Sequence, residues 1–148
     1  MSLEDDIAQL SRVPTLRLLG SDALRMLAIA SEQRNLAAGE VLFRAGDAAD
    51  AGYVVQRGAL NISVDDGSGQ SVVAGPDALL GELALVMVIQ RPGTATALEN
   101  TSVLRISRTL FQRVLESDPL AARRLRDEFM IRTSQVISDL TVISGRLL

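Results

Sequence analysis

Between Gly39 and Ile106 the chain consists of short apolar runs separated by glycine and other turn-forming residues. Within this segment Leu60, Ile62 and Val64 alternate with polar or small residues, which is the period of a strand with one buried face. Short strands interrupted so regularly by glycine are typical of an antiparallel roll or barrel with helices packed at its ends. The segment therefore restricts the fold to a mainly β architecture.

Both flanks of this segment have helical patterns. Apolar side chains recur at helical spacing over residues 3–10, and Ser21-Asp22 offers an N-cap to a second short helix. From Ser107 the pattern is helical again, and Pro119 suits the first turn of a long final helix. We predict one domain over residues 1–148, with N-terminal helices over 1–35, an antiparallel β-roll of double-stranded β-helix or jelly-roll type over 36–106, and C-terminal helices over 107–148.

The composition excludes several kinds of chemistry. The 148 residues include no cysteine and no histidine, which removes disulfides, zinc–cysteine sites, thiol nucleophiles and the commonest general base. The acidic residues are scattered and do not follow the spacing of a calcium loop. We therefore expect neither a metal ion nor catalysis; a metal-dependent enzyme on a similar roll is an alternative that the lack of histidine disfavours.

Charge and hydropathy bear on partners and location. Fifteen basic and 18 acidic side chains give a net charge of −3, without a basic patch that would neutralise many phosphates. The longest apolar run, Leu83 to Ile89, is far too short to cross a membrane, and the N-terminus has acidic residues in place of a secretory signal. These features predict a cytoplasmic protein that binds neither nucleic acid nor membrane directly.

One interruption of the strand pattern combines a turn, a short apolar helix and a returning arginine. A helix that begins after Gly81 presents backbone N–H groups and the positive end of its dipole to an anion. Arg91 can grip the same anion through two nitrogens, and Glu82 can accept a hydrogen bond from a neighbouring hydroxyl. A sugar phosphate offers both groups. A Glu82–Arg91 salt bridge at the mouth of the roll explains the spacing equally well.

Residues 81–85, GELAL, followed by Arg91 resemble the phosphate-binding cassette of the cyclic nucleotide-binding domain family. Residues 36–47 and 53–58 resemble strands and turns of the same family, so the similarity covers nearly the whole chain. The resemblance implies a regulatory roll that binds a cyclic nucleotide through a cassette over residues 81–96 and performs no catalytic step.

The resemblance also implies roles for single residues. Glu82 would bind the ribose 2′-hydroxyl, and Arg91 would bind the cyclic phosphate. The remaining implied contacts come from the backbone amides of Gly81, Leu83 and Ala84, which face the phosphate and ribose, and from Ile62 and Val72, which line the pocket for the base.

Pro92 departs from the family pattern, in which the residue after the arginine is usually Ala, Ser or Thr and its amide contacts the phosphate. Proline has no N–H, and losing one donor to a charged acceptor costs about 1.5–3 kcal/mol, or about tenfold to a hundredfold in affinity. Members that favour cyclic GMP often use a Thr hydroxyl here, so we expect cyclic AMP rather than cyclic GMP. The alternative is a degenerate roll without ligand that serves as a dimerisation or interaction module.

The last helix carries a second pattern. Its apolar residues recur in steps of four and three, interrupted once by a polar residue, which predicts a parallel homodimeric coiled coil; packing on its own roll is the alternative. The positions are Phe129, Thr133, Val136, Leu140, Ile143 and Leu147. This segment resembles the dimer helix of catabolite-activator-type (Crp/Fnr) regulators, in which a pair matched by Thr133 and Ser134 contacts the adenine. Those regulators continue into a helix-turn-helix domain, so the resemblance implies a signal to such a domain, absent here, or to a separate unknown protein.

Overall fold

The computed structural model describes residues 2–64 and 67–138, with side chains up to residue 128. The α-helices in this part are α1 (Leu3–Arg12), α2 (Ser21–Ala30), α3 (Arg108–Ser117) and α4 (Pro119–Ser138), and 3₁₀ helices span Leu16–Leu18 and Glu82–Leu85. The strands are β1 (Glu32–Leu36), β2 (Val41–Phe43), β3 (Ala48–Ala49), β4 (Ala51–Arg57), β5 (Leu60–Val64), β6 (Ser71–Ala74), β7 (Leu79–Leu80), β8 (Ile89–Gln90), β9 (Gly93–Ala97) and β10 (Thr101–Ser107).

Eight of these strands form two antiparallel sheets that pack face to face. The first sheet has the order β1-β10-β4-β7 and the second has the order β2-β9-β5-β6, while β3 and β8 pair separately. One buried cluster draws side chains from both sheets, including Tyr53 and Val103 from the first and Phe43 and Ile62 from the second. The predicted fold class, a jelly-roll-like antiparallel roll with flanking helices, is confirmed.

A second apolar cluster joins the helices to the outer face of the first sheet. Val54 and Val55 are both fully buried, because neighbouring strand residues point to opposite faces and both faces are covered. Val54 contacts the helix-side cluster with Leu27 of α2 and Phe111 of α3, whereas Val55 lies inside the roll. Residues 51–55 of β4 are therefore apolar without alternation.

The structure corrects the predicted N-terminal region. Residues up to 35 were expected to be helical, but Glu32–Leu36 forms β1, paired antiparallel with β10. Its first four residues are polar and only Leu36 is buried, because β1 is an edge strand held by backbone hydrogen bonds. The predicted N-cap at Ser21 is also wrong by one residue, since Gly20 takes that position and Ser21 begins α2.

The C-terminal helices begin where the sequence predicts. Pro119 starts α4, and the side chain of Asp118 accepts a hydrogen bond from the amide of Ala121 at 3.1 Å. Along the described residues no helix has the length and hydropathy needed to cross a membrane. The predicted dimer seam, which begins at Phe129, lies outside the residues whose side chains are described, so it stays a prediction.

Candidate functional site

Arg91 points into the roll. It follows β8 and is only 4% exposed. Its Cζ atom lies 4.3 Å from the ring centre of Phe43 and 5.5 Å from that of Tyr53, and its Nη2 atom donates a hydrogen bond to the carbonyl of Ala51 at 2.7 Å. A planar cation is thus stacked against two aromatic rings and fixed at one end by a carbonyl.

The second terminal nitrogen of Arg91, Nη1, is buried and has no hydrogen-bond partner among the described residues. Leaving a charged donor unpaired away from water is costly, so such a group calls for an explanation. Burial lowers the pKa of the Arg91 guanidinium, and the nearby Tyr53 and Asp50 partly offset the change. The group remains a cation at neutral pH. An anion placed beside Nη1 would satisfy the donor and offset the cost of burial.

Gly81 brings the start of the 3₁₀ helix Glu82–Leu85 against Arg91. Its φ of 74° and ψ of 39° lie in the left-handed region, where glycine is favoured. A Cβ atom on residue 81 would also overlap Nη1 of Arg91. Residue 81 therefore needs glycine for its conformation and for the approach of the guanidinium. The cassette turn and Arg91, which sequence reasoning joined, lie side by side.

Glu82 is held by a residue outside the predicted motif. Its Oε1 atom accepts a hydrogen bond from the Thr15 hydroxyl at 2.7 Å. Arg91 instead donates to Ala51, and no ion pair joins Glu82 and Arg91 in the part of the chain with described side chains. The salt bridge that the spacing also allowed is therefore wrong. Thr15 was missed because its sequence neighbourhood has no binding motif.

The other cassette residues differ in what they present. The amide of Ala84 donates to the carbonyl of Gly81 at 3.0 Å, which closes the 3₁₀ turn. A contact from this amide to a phosphate, as the resemblance implies, requires the turn to open. Leu83 is about half exposed, and Pro92 is exposed between β8 and β9. The roles of these residues stay predictions.

Arg108 supports the cassette from the first residue of α3. Its Nη1 atom donates to the carbonyls of Ala49 at 3.0 Å, Ala84 at 3.1 Å and Met87 at 2.9 Å. Its backbone N–H donates to the carbonyl of Asp50 at 2.8 Å. A cation in the first turn of a helix interacts unfavourably with the helix dipole. An arginine at this position is therefore a sequence signal that its side chain contacts groups outside α3. Arg108 thus ties the end of the cassette turn to α3.

The two residues predicted to line the base pocket differ in solvent exposure. Ile62 is 2% exposed and lies in the roll interior with Phe43 and Tyr53. Val72 is directly opposite Ile62 in the β5–β6 pair, but it is 37% exposed because β6 is an edge strand. Whether Val72 lines a base pocket stays a prediction.

Two further expectations concern α4 and metals. Thr133 and Ser134 lie beyond the residues whose side chains are described. In the described part, no three acidic side chains are grouped so that they could hold a metal ion.

A surface cleft of about 660 Å³ lies elsewhere on the roll. It is lined by Asn35, Leu36, Ala37, Glu40, Arg57, Asn100, Thr101 and Ser102. None of these residues belongs to the cassette, so the cleft is not the site that Arg91 and Gly81 define. Arg57 consequently serves as a control position for experiments on that site.

Sequence comparison with known proteins gives the following matches. The family model described as the cyclic nucleotide-binding domain matches residues 33–118. The cAMP-dependent protein kinase regulatory subunit of Eremothecium gossypii is 30% identical over 112 residues, which cover 76% of this chain and 24% of that protein. The chain spans less than a third of the length of such curated relatives.

Solved structures are similar along most of the chain. The cyclic nucleotide-binding-like protein from Brucella abortus is 38% identical with a TM-score of 0.68, covering 76% of this chain and 98% of that one. The N-terminal domain of a transcriptional regulator from Streptomyces coelicolor A3(2) is 29% identical with a TM-score of 0.77, covering 86% and 94%.

Proposed function

Because this chain belongs to the cyclic nucleotide-binding domain family and is a regulatory domain of that kind, we propose that its ligand is cyclic AMP. The membership confirms the resemblance carried by GELAL and Arg91. The observation that carries the proposal is the Nη1 atom of Arg91, a buried charged donor that lacks a partner within the described residues. A cyclic phosphate supplies the anionic acceptor that this nitrogen lacks.

The contacts around Arg91 support the phosphate end of the proposed ligand position, and its other contacts are those that the resemblance implies. The cyclic phosphate accepts from Nη1 of Arg91 and from the amides at the start of the cassette turn, and the ribose 2′-hydroxyl donates to Glu82. The base lies toward Ile62 and Val72, and the pair implied by the resemblance, Thr133 and Ser134 of the partner subunit, contacts the adenine. Arg91 is only 4% exposed, so we propose that the guanidinium or the cassette shifts as the ligand enters.

The choice of cyclic AMP over cyclic GMP rests on residue 92. Pro92 has neither a hydroxyl group to bind a guanine nor an N–H to bind the phosphate. The Eremothecium gossypii relative, named as cAMP-dependent, supports the same choice. We therefore expect both nucleotides to bind more weakly than in a site with a donor at this position, and cyclic AMP to bind better than cyclic GMP.

Binding is transmitted to the C-terminal helices in this proposal. Arg108 connects the cassette turn to α3, and α4 follows directly after Asp118. A ligand that contacts Glu82 and Arg91 more favourably in one placement of α3 and α4 shifts the population toward that placement. A partner protein or a DNA-binding domain reads the shift, and no catalytic step is involved.

The last helix is proposed to form a homodimer. Replacing Leu140 with Glu places a charge in the predicted seam. Sedimentation of the wild type as a dimer and of Leu140→Glu as a monomer supports this contact. Dimers of both proteins would contradict it.

Thermal melting with and without cyclic AMP or cyclic GMP tests the function. A ligand at a hundred times its dissociation constant stabilises the protein by about 2.7 kcal/mol, which raises the Tm by several degrees for a domain of this size. We expect a shift with cyclic AMP that Arg91→Ala abolishes and that Arg57→Ala, in the separate surface cleft, retains. The absence of any shift at millimolar ligand would favour the ligand-free interaction module, the alternative motivated by Pro92.

A further inference from the structure

The segment between α1 and α2 contains a buried hydroxyl that touches the proposed nucleotide site. Thr15 is 2% exposed, and its sequence neighbours Val13 and Leu16 belong to the apolar cluster on the helix side. A hydroxyl in such surroundings needs a hydrogen-bond partner. It donates to Oε1 of Glu82 at 2.7 Å, across 67 residues of chain. The buried polar group is thus directed at the carboxylate assigned to the ribose.

Contacts of α1 fix the position of Thr15 relative to the cassette. The Nε2 atom of Gln9 donates to the carbonyl of Val55 at 3.1 Å and to Oδ1 of Asp77 at 3.0 Å. Arg12 donates to Oδ2 of Asp77 at 3.0 Å. Asp77 lies in the turn that leads into β7, immediately before the cassette. The contacts between the end of α1 and this turn therefore fix the position of Thr15 relative to Glu82.

We propose that Thr15 is a positioning residue that makes the site selective for ribose over deoxyribose. Its hydroxyl holds the Glu82 carboxylate in the rotamer that accepts a hydrogen bond from the 2′-hydroxyl of the ligand. A carboxylate has about four lone-pair sites, so accepting from Thr15 is compatible with accepting from a ligand. This inference rests on the proposed function, because Glu82 meets a ribose only when a cyclic nucleotide binds.

Removal of the hydroxyl has a selective effect in this proposal. Without the hydrogen bond from Thr15 the Glu82 carboxylate is held less firmly in this rotamer, and ordering it again on binding costs affinity. That cost falls on cyclic AMP, which uses the carboxylate, and spares 2′-deoxy cyclic AMP, which has no 2′-hydroxyl. A general loosening of the fold would instead weaken both ligands alike.

Calorimetric titration of the full 148-residue chain with cyclic AMP and with its 2′-deoxy analogue tests this inference. We expect Thr15→Val and Thr15→Ala to weaken cyclic AMP about tenfold and to leave the 2′-deoxy analogue within about twofold. Thr15→Ser, which keeps the hydroxyl, restores the selectivity. Ser11→Ala removes a hydroxyl that donates within α1 to the carbonyl of Ala8, and it serves as the unaffected control.

A second background checks the route through Glu82. In Glu82→Ala the substitution Thr15→Val should cause no further loss of selectivity, since no side-chain acceptor remains for Thr15 to position. A further loss of selectivity in this background would overturn the inference.

The outcomes separate this inference from the function on which it rests. If the wild type binds neither nucleotide, the proposed function and the inference both fail. If the wild type binds cyclic AMP but Thr15→Val and Thr15→Ala change both affinities equally, or change neither, only the inference fails. If neither of these variants folds, Thr15 is a structural residue and the inference is overturned.

Discussion

Gly81 lies directly against the Nη1 atom of Arg91. A Cβ atom at residue 81 would occupy the space that this nitrogen takes. Gly81 also starts the 3₁₀ helix from the left-handed region, with a φ of 74°. The conformation of the cassette and the placement of the guanidinium therefore depend on the same residue.

Gly81→Ala should destabilise the fold and disrupt the site together. The left-handed conformation costs a non-glycine residue about 1–2 kcal/mol, and the new Cβ displaces the guanidinium. We expect urea denaturation to show a decrease in unfolding free energy of at least that size, and we expect cyclic AMP to bind at least tenfold more weakly. Gly39→Ala is a matched control, because Gly39 has a φ of 86° and nothing within 4 Å of a Cβ. Equal binding by the two variants would contradict the proposed role of Gly81.

Arg108→Ala should uncouple the cassette from α3. It leaves the carbonyls of Ala49, Ala84 and Met87 without this charged donor, which we expect to cost about 2–3 kcal/mol of unfolding free energy. Hydrogen exchange should show less protection of α3 on addition of cyclic AMP. Arg108→Lys should recover only part of the lost unfolding free energy and of the lost α3 protection, because lysine lacks the planar guanidinium group. Arg113→Ala, an exposed position on α3, is the control; an equal response of both variants would refute the coupling.

Arg12→Ala should flatten the acid dependence of stability. The hydrogen bond from Arg12 lowers the pKa of Asp77 from its usual 3.8. Since the folded pKa is the lower one, this contribution to stability is complete above pH 3.8 and is lost as the pH falls through the folded pKa.

The expected size of this effect is small. The Asp77 side chain is 37% exposed, so solvent screening limits the contribution to below about 1 kcal/mol. Urea denaturation midpoints measured from about pH 5 downward should fall less steeply in Arg12→Ala than in the wild type. Arg17→Ala, another exposed arginine, should behave as the wild type; equal slopes in all three proteins would show that the pair has no such role.

Pro92→Ala should tighten cyclic AMP binding. The substitution restores a backbone N–H next to Arg91, which we expect to be worth about tenfold to a hundredfold in affinity. Pro92 is exposed, so the fold should tolerate the change, and Pro76→Ala is the control at another exposed proline. Pro92→Thr should raise cyclic GMP affinity more than cyclic AMP affinity. Unchanged titrations would show that residue 92 does not face the phosphate.

Sequence reasoning identified those elements whose residues carry a local signal. Strand β5, observed over Leu60–Val64, was predicted because its apolar residues alternate with polar ones. Strand β1 was missed because its polar sequence is held by pairing with β10, which no local pattern reveals.

The same distinction holds within the site. The cassette and Arg91 are close in sequence and form a recognisable motif. Thr15 and Arg108 act on the cassette from 67 and 24 residues away, so only the folded chain brings them to it. Contacts of this kind depend on tertiary packing and have no periodic signal.

Strand β4 separates two apolar clusters, one on the side of the helices and one inside the roll. Val54 faces the helices and Val55 faces the chamber between the sheets, and both are fully covered. Neighbouring residues therefore affect different parts of the fold. A smaller side chain at residue 54 would weaken the packing of the helices on the sheet, and a smaller side chain at residue 55 would change the shape of the roll interior. Under the proposed function, a substitution at residue 54 would alter how the helices respond to the ligand, and a substitution at residue 55 would alter the affinity for it.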